Sequence, residues 1–244
     1  MIGLIDSGIG GATVLKEILK RIPNGHYIYY SDSLNNPYGE KQETEIYLIV
    51  KNIVDFLILK GCKIIILACN TASGVCASKL RKEYKNILIL AIEPAIKIVS
   101  DHQLEELTLV LATPRTLQTK KFLDNYKKYK PINCELLPCI GLANLIEEEK
   151  ETEINNYINK IYKDYPNAKN FVLGCTHYPL IKNKIKEKFP NAKFFDGSIG
   201  LSKELQRKII EMKLELKNNG QLIEFYDSTN NPLKKERFFK YLEK

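Results

Sequence analysis

Short apolar runs that end abruptly at polar or small residues recur along the chain, separated by stretches of helical period. Residues 2–5 are apolar and stop at Asp6-Ser7. The same form returns at 26–31, at 64–67 running into Ala68, and at 87–92, 107–111, 133–137, 169–173 and 193–196. Residues 222–226 predict one late strand. Runs this short and continuously apolar read as buried parallel strands rather than half-exposed ones. Helical periodicity covers 12–19, 42–60, 72–84, 95–103, 116–128, 153–163, 179–188, 200–217 and a short 234–243. Strand and helix alternate, which predicts an α/β fold of mostly parallel sheets with helices on both faces. Right-handed crossovers then put the strand tips on one side, the edge where open α/β sheets bind ligands.

One device occurs twice. Ile64-Ile-Ile-Leu-Ala-Cys69-Asn70-Thr71 and Phe171-Val-Leu-Gly-Cys175-Thr176-His177 each run apolar, small, Cys, then polar. The cysteines are 106 positions apart (175 − 69). The chain thus reads as two similar halves, each presenting a thiol to a shared cleft. The strand tips at 6–7, 69–71, 113–116 and 175–177 are expected to converge there.

Composition changes this picture little. The chain has 244 residues with 44 % hydrophobic and 27 % charged content, enough for two compact α/β units. The net charge of +8 raises nucleic acid as a partner. Only five of the 37 basic residues are arginine, however, and residues 203–244 mix ten Lys/Arg with seven Asp/Glu. A mixed-sign run is a solvated face, so nucleic acid is not the expected partner. No apolar run approaches the ~18 residues of a membrane span. The N-terminal stretch has neither the basic region nor the long apolar core of a secretory leader, so a cytoplasmic protein with reduced thiols is expected. Six cysteines (62, 69, 76, 134, 139 and 175) form no C-x-x-C pair. Neither a zinc ribbon nor a thioredoxin-type pair is indicated, and no metal is expected.

Several stretches carry both a chemical and a plain reading. Gly8-Ile9-Gly10-Gly11 between a strand and a helix forms an anion site from loop and helix N–H groups. Its rival is a dinucleotide loop, with Asp32 imitating the ribose-binding acid, but Thr13 stands where Gly or Ala should close the motif. In the turn-rich loop 31–41, Tyr38 and Gly39 place a phenol and a close backbone N–H beside a ligand, unless the loop is simply surface. Thr113 and Thr116 suit a carboxylate or ammonium, and equally suit helix capping. Glu147-Glu148-Glu149 within 138–150 reads as a solvated helix face. Cys62, Cys76, Cys134 and Cys139 read as small core hydrophobes.

A cysteine at a strand end before a helix feels the helix dipole, which favours thiolate. With free cysteine titrating near ~8.5, thiol and thiolate are both accessible at neutral pH. A thiolate and a thiol on opposite faces of a stereocentre remove a proton from one side and return one to the other, which racemises an amino acid. Ser7, Asn70, Thr71, Thr116 and Thr176 supply donors for carboxylates. A nucleophilic Cys175 with His177 as base is a further reading, open if the pair sits at a strand-to-helix turn.

Gly3-Leu-Ile-Asp-Ser-Gly-Ile-Gly-Gly11, Pro37-Tyr-Gly-Glu-Lys41, Ala68-Cys-Asn-Thr-Ala-Ser73, Glu93-Pro-Ala95, Leu111-Ala-Thr-Pro-Arg-Thr116 and Leu173-Gly-Cys-Thr-His-Tyr-Pro-Leu180 together resemble the glutamate racemases of the cofactor-independent aspartate/glutamate racemase family. The resemblance implies two pseudo-symmetric α/β domains with the site between them: residues 1–93 with 198–244, and residues 94–197. It implies Cys69 and Cys175 as the proton-transferring residues, with Asp6, His177 and Glu147 as helpers. It implies substrate contacts at Asp6, Ser7, Tyr38, Gly39, Asn70, Thr71, Thr176 and His177. No cofactor is implied, and the product would be D-glutamate for bacterial peptidoglycan. His177 stands where aspartate racemases usually have Glu, which favours glutamate over aspartate. Asn35-Asn36 stands where the family often has an arginine, so altered loop contacts are expected. Glutamate is the expected small-molecule partner and no membrane is; a homodimer stays open. A racemase for another acidic amino acid and a non-catalytic amino-acid-binding module are the competing readings.

Overall fold

The computed structural model describes residues 1–214 and 220–243. In chain order the elements are β1 (Ile2–Asp6), α1 (Ala12–Leu19), β2 (Gly25–Ser31), α2 (Glu43–Leu59), β3 (Ile64–Leu67), α3 (Asn70–Glu83), β4 (Leu88–Ala91) and α4 (Ile96–Asp101). Then come β5 (Thr108–Ala112), α5 (Pro114–Gln118), α6 (Lys120–Tyr129), β6 (Cys134–Pro138), α7 (Leu142–Glu147), α8 (Glu151–Asp164), β7 (Asn170–Gly174) and α9 (Lys182–Lys188). The chain ends with β8 (Lys193–Phe195), α10 (Ser198–Glu211), β9 (Gln221–Asp227) and α11 (Pro232–Glu243).

The strands form two parallel sheets, ordered β4-β3-β1-β2-β9 and β6-β5-β7-β8. The central strands are continuously buried, as at Ile64–Leu67 and Asn170–Gly174, because helices cover both faces. In β1, alternate residues serve opposite cores. Ile2 and Leu4 pack with α1, α10 and Phe238 of α11, whereas Ile5 packs with α2 and α3. The second sheet repeats this: Leu109 and Leu111 face α7, α8 and α9, and Val110 faces α4 and α6.

Register places the site. Ile5 pairs with Leu67, so Asp6 and Ala68 lie side by side just past the pairing, one step before Cys69. Ala112 pairs with Gly174, so Thr113 and Cys175 leave their sheet together. The chain passes from the first sheet to the second through Glu93-Pro94 and returns through Gly197. A Cβ on Gly197 would lie 2.1 Å from the Glu93 carbonyl oxygen, so the two crossings touch backbone to backbone and only glycine fits.

Several predicted elements differ in detail. Helix 116–128 is two helices, because the Thr119 hydroxyl accepts from the Phe122 N–H and starts α6 afresh. Helix 179–188 begins as a 3-10 turn, Tyr178–Ile181, before α9. Helix 95–103 stops at Asp101, and Gln103 turns to positive φ. The terminal helix predicted over 200–217 runs Ser198–Glu211, and positions 215–217 lie outside the described residues. Asp196 lies just beyond β8 and accepts from the Ser198 N–H at 2.8 Å. Loop 31–41 is no plain surface loop. It makes two short 3-10 turns, Ser33–Asn35 and Tyr38–Glu40, and buries Tyr38 and Gly39.

Candidate active site

The glycine loop after β1 packs against residues that follow β7. A Cβ on Gly10 would sit 2.7 Å from His177 Nδ1, and one on Gly8 would sit 2.7 Å from Glu147 Oε2. The loop N–H groups are already engaged: Gly11 N–H donates to Asp6 Oδ2 (2.8 Å) and Ile9 N–H to Glu147 Oε2 (3.1 Å). The expected anion site therefore holds the protein's own carboxylates. This also removes the dinucleotide reading, because the space over the loop is filled. Asp32, the would-be ribose acid, accepts instead from the Tyr38 phenol (2.6 Å) and the Asn35 amide (3.0 Å).

Asp6 is fully buried at the tip of β1. Its carboxylate accepts from the Thr176 hydroxyl (3.2 and 3.3 Å) and from Tyr29 (3.4 Å), whose phenol also donates to the Gly8 carbonyl at 2.8 Å. Burial pushes Asp6 up to about 6, although His177 and the Gly11 N–H pull the other way.

Cys69 caps α3 at the N-terminal end and is 6 % exposed. Its thiol donates to Ser7 Oγ at 3.8 Å. The expected easy thiolate does not arise here. Burial and then the charge of Asp6 push Cys69 up to about 12, outweighing the Ala72 N–H at the helix start and the Ser7 hydroxyl. Charge on Cys175 acts in the same direction.

Cys175 is 9 % exposed and has different company. His177 Nδ1 lies 3.7 Å from its sulfur, and His177 Nε2 lies 2.7 Å from Glu147 Oε2. Burial alone would favour a neutral ring, but the Cys175 sulfur and the Glu147 carboxylate together hold His177 well above the usual histidine range. Glu147 is 4 % exposed at the end of α7, so the solvated-face reading fails for it, while Glu148 and Glu149 do face solvent. Burial would raise Glu147, yet His177 and Lys234 hold it at about 2. The element after Cys175 is a 3-10 turn rather than a helix, so its cation is a side chain and not a helix dipole.

Hydroxyls gather at the tips of β3 and β5. Thr71, Thr113 and Thr116 form a buried ring with Oγ1 separations of 3.0, 3.0 and 2.9 Å. Gly39 lies against Thr113, where an added Cβ would come within 2.8 Å of the threonine Cβ. Thr13 Oγ1 donates to the Thr176 carbonyl at 3.1 Å. Asn70 Oδ1, one residue along the chain from Cys69, is buried without a hydrogen-bond partner among the described residues. Asn36 contacts Asn144 (3.1 Å) and Asn35 contacts Asp32, which are the contacts this loop makes in place of an arginine's. The tips at 6–7, 69–71, 113–116 and 175–177 are thus brought together, and Tyr38 reaches them through Asp32.

Sequence reasoning missed Tyr29, Lys234 and the bond from Thr13 to the Thr176 carbonyl. Tyr29 and Thr13 sit inside regular elements with no local signal. Lys234 lies 87 positions from its partner in a lysine-rich stretch. Among the described residues no cluster of three or more His, Cys, Asp or Glu is placed to hold a metal ion. Among the described residues no helix is long and apolar enough to cross a membrane.

No protein-family model matches the chain. A glutamate racemase of Clostridium novyi (strain NT) is 40 % identical over 237 residues, covering 94 % of this chain and 92 % of that one. A glutamate racemase of Clostridium botulinum strain Hall is 43 % identical over 231 residues, covering 91 % and 86 %. The crystal structure of glutamate racemase from Francisella tularensis in complex with D-glutamate superposes with a TM-score of 0.82 at 29 % identity, covering 100 % of this chain and 93 % of that one. The chain belongs to the glutamate racemase family and is an isomerase acting on amino acids.

Proposed function

We propose that this racemase interconverts L- and D-glutamate without a cofactor, with Cys69 and Cys175 as proton-transferring groups on opposite faces of the α-carbon. One sulfur, as thiolate, takes the α-hydrogen as a proton. The electron pair left on the carbon is delocalised into the α-carboxylate. The S–H of the other cysteine then delivers a proton to the opposite face. The enzyme ends with acid and base exchanged, and turnover in the reverse direction restores them.

The observation that carries this reading is the pair of nearly sealed sulfurs at corresponding strand tips, each feeling a different charged partner. Low exposure also suits a carbanion that must not meet water. This reading assigns the hydroxyls of Ser7, Thr71, Thr113, Thr116 and Thr176 to the substrate carboxylates, in exchange for their present partners, and Asn70 Oδ1 to the ammonium. Asp6, His177 and Glu147 tune the two thiols, and Tyr38 and Gly39 line the substrate. The Francisella relative holds D-glutamate, which supports glutamate as the substrate. In this reading residues 1–93 with 198–244 form one domain and 94–197 the other, and the D-glutamate made in the cytoplasm goes to peptidoglycan.

Cys175-His177-Glu147 is also the geometry of a thiol nucleophile with an oriented base. That reading leaves Cys69 without a task. A circular-dichroism time course on L-glutamate and on L-aspartate, with no pyridoxal phosphate added, tests the proposal. Loss of signal with glutamate is expected. Preference for aspartate would overturn the substrate, and an unchanging signal with both would favour a binding module.

A further inference from the structure

Glu147 has two oxygens and spends them on different partners. Oε2 faces His177 and the Ile9 N–H, while Oε1 meets Lys234 Nζ at 2.8 Å. Lys234 belongs to α11, the last helix of the described chain, and is largely buried at 19 % side-chain exposure. One turn on, Arg237 donates to the Glu147 carbonyl at 3.0 Å and pairs with Glu149 at 3.4 Å. The next residue, Phe238, is fully buried and anchors the helix, its ring 4.3 Å from Tyr29 and 4.8 Å from Phe225. Lys234 is therefore held in place and is no loose surface lysine.

The charges around the Cys175 sulfur can be counted. Arg237 is answered by Glu149. If Glu147 and His177 stood alone, their charges would cancel, and a thiolate beside them would face no net positive charge. With Lys234 these three groups carry one net positive charge, set against the Asp6 carboxylate on the β1 side. We infer that Lys234 is a positioning residue for the reaction: it answers the charge of Glu147 and leaves the charge of His177 for the Cys175 sulfur. The inference rests on the two-thiol reading above and extends it to the C-terminal helix. The other groups facing this cluster are Asp6 from β1, Tyr29 from β2, Cys69 from the tip of β3 and Tyr241 from α11, and none of them supplies a second cation.

The test compares Lys234→Met, Lys234→Gln and Lys234→Arg with Lys235→Met, an exposed neighbour, as control. Alkylation of Cys175 by iodoacetamide at neutral pH is followed by peptide mass spectrometry. Melting temperature and kcat/KM are recorded alongside. One opposite charge at second hand is worth about one pH unit, so the Met and Gln variants should lose ~10-fold in the rate of Cys175 alkylation. The loss in kcat/KM should be similar and should recover as pH is raised. Lys234→Arg and Lys235→Met should stay within about twofold of the wild type. A merely structural role would loosen the cleft and speed alkylation while lowering the melting temperature. Unchanged or faster alkylation in a folded Met or Gln variant would therefore overturn the inference. Should one variant fail to fold, the other carries the comparison with Arg. Alkylation is read without turnover, so failure of the two-thiol mechanism would show separately, as racemisation surviving the loss of either cysteine.

Discussion

Cys69 follows β3 and Cys175 follows β7, yet the groups around the two sulfurs have opposite charge. Cys69 has Asp6 and a serine hydroxyl nearby, and it is pushed up to about 12. Cys175 has a histidine that Glu147 keeps protonated. Two parallel sheets present like side chains just past a strand end, and the two have unlike neighbours. Burial and Asp6 favour the proton on Cys69, while the Cys175 sulfur faces the charge of His177. In the two-thiol reading proposed above the sulfurs exchange acid and base roles at each turnover, so neither bias can be absolute.

Removing either sulfur should break the comparison most severely. Cys69→Ala and Cys175→Ala should each lower racemisation by at least about 10³-fold in both directions, since each direction uses one as base and the other as acid. Two enantiomers have an equilibrium constant of one, so kcat/KM must fall equally in the two directions. The difference between the variants appears in solvent exchange. Each retains one possible base, so each should exchange the α-hydrogen of one enantiomer only, and the enantiomer should differ between them. Cys62→Ala, just before β3 and so at the opposite end of that strand from Cys69, should leave turnover nearly intact. Full activity in Cys175→Ala would end the two-thiol account.

Removing the cation tests why the two sites differ. His177→Gln should cost about 10²-fold, because the Cys175 sulfur loses its positive neighbour and the Gly10 contact. Raising the pH should recover part of that loss. Equal losses at all pH values would mean that His177 only fills space.

The two helper carboxylates should show opposite pH signs. Glu147 is held at about 2, below its ordinary value of 4.5. Its contribution to stability is present above about 4.5 and lost as pH falls towards 2. Asp6 is pushed up from 3.8 to about 6. The fold favours its neutral form, so rising pH between about 4 and 6 costs stability, on the order of 3 kcal/mol by neutral pH. Asp6→Asn should thus raise the melting temperature by a few degrees at pH 7 and hardly at pH 4. Glu147→Gln should lower it at pH 7 and approach the wild type below pH 3. Calorimetry across this range checks both signs, and parallel slopes in the two variants would contradict the assignment.

Much of the architecture was legible because it rests on local patterns. Continuous apolar runs such as Ile64–Leu67 fixed the parallel strands, and the repeat around Cys69 and Cys175 pointed to one edge. What escaped depends on contacts between distant segments. Nothing local marks Glu147 as buried among three glutamates. Its partners are the Ile9 N–H, His177 and Lys234, the first and last of them separated from it by 138 and 87 positions. The glycine loop was readable as an anion site, but not that its anions would come from the chain itself. The helix dipole was readable at Cys69, but not that burial and Asp6 would outweigh it.

The most direct measurement is turnover of L-glutamate in heavy water, stopped at low conversion. The delivering thiol exchanges with solvent before catalysis and carries deuterium, while the proton taken from the substrate stays on the other sulfur. Newly formed D-glutamate should be deuterated at the α-carbon, and the remaining L-glutamate should stay largely protiated. A rapid-quench control on pre-soaked enzyme checks that S–H exchange outruns turnover. A single base swinging between faces would carry the original proton across, so substantial protium in the first D-glutamate formed would contradict the pairing of Cys69 with Cys175.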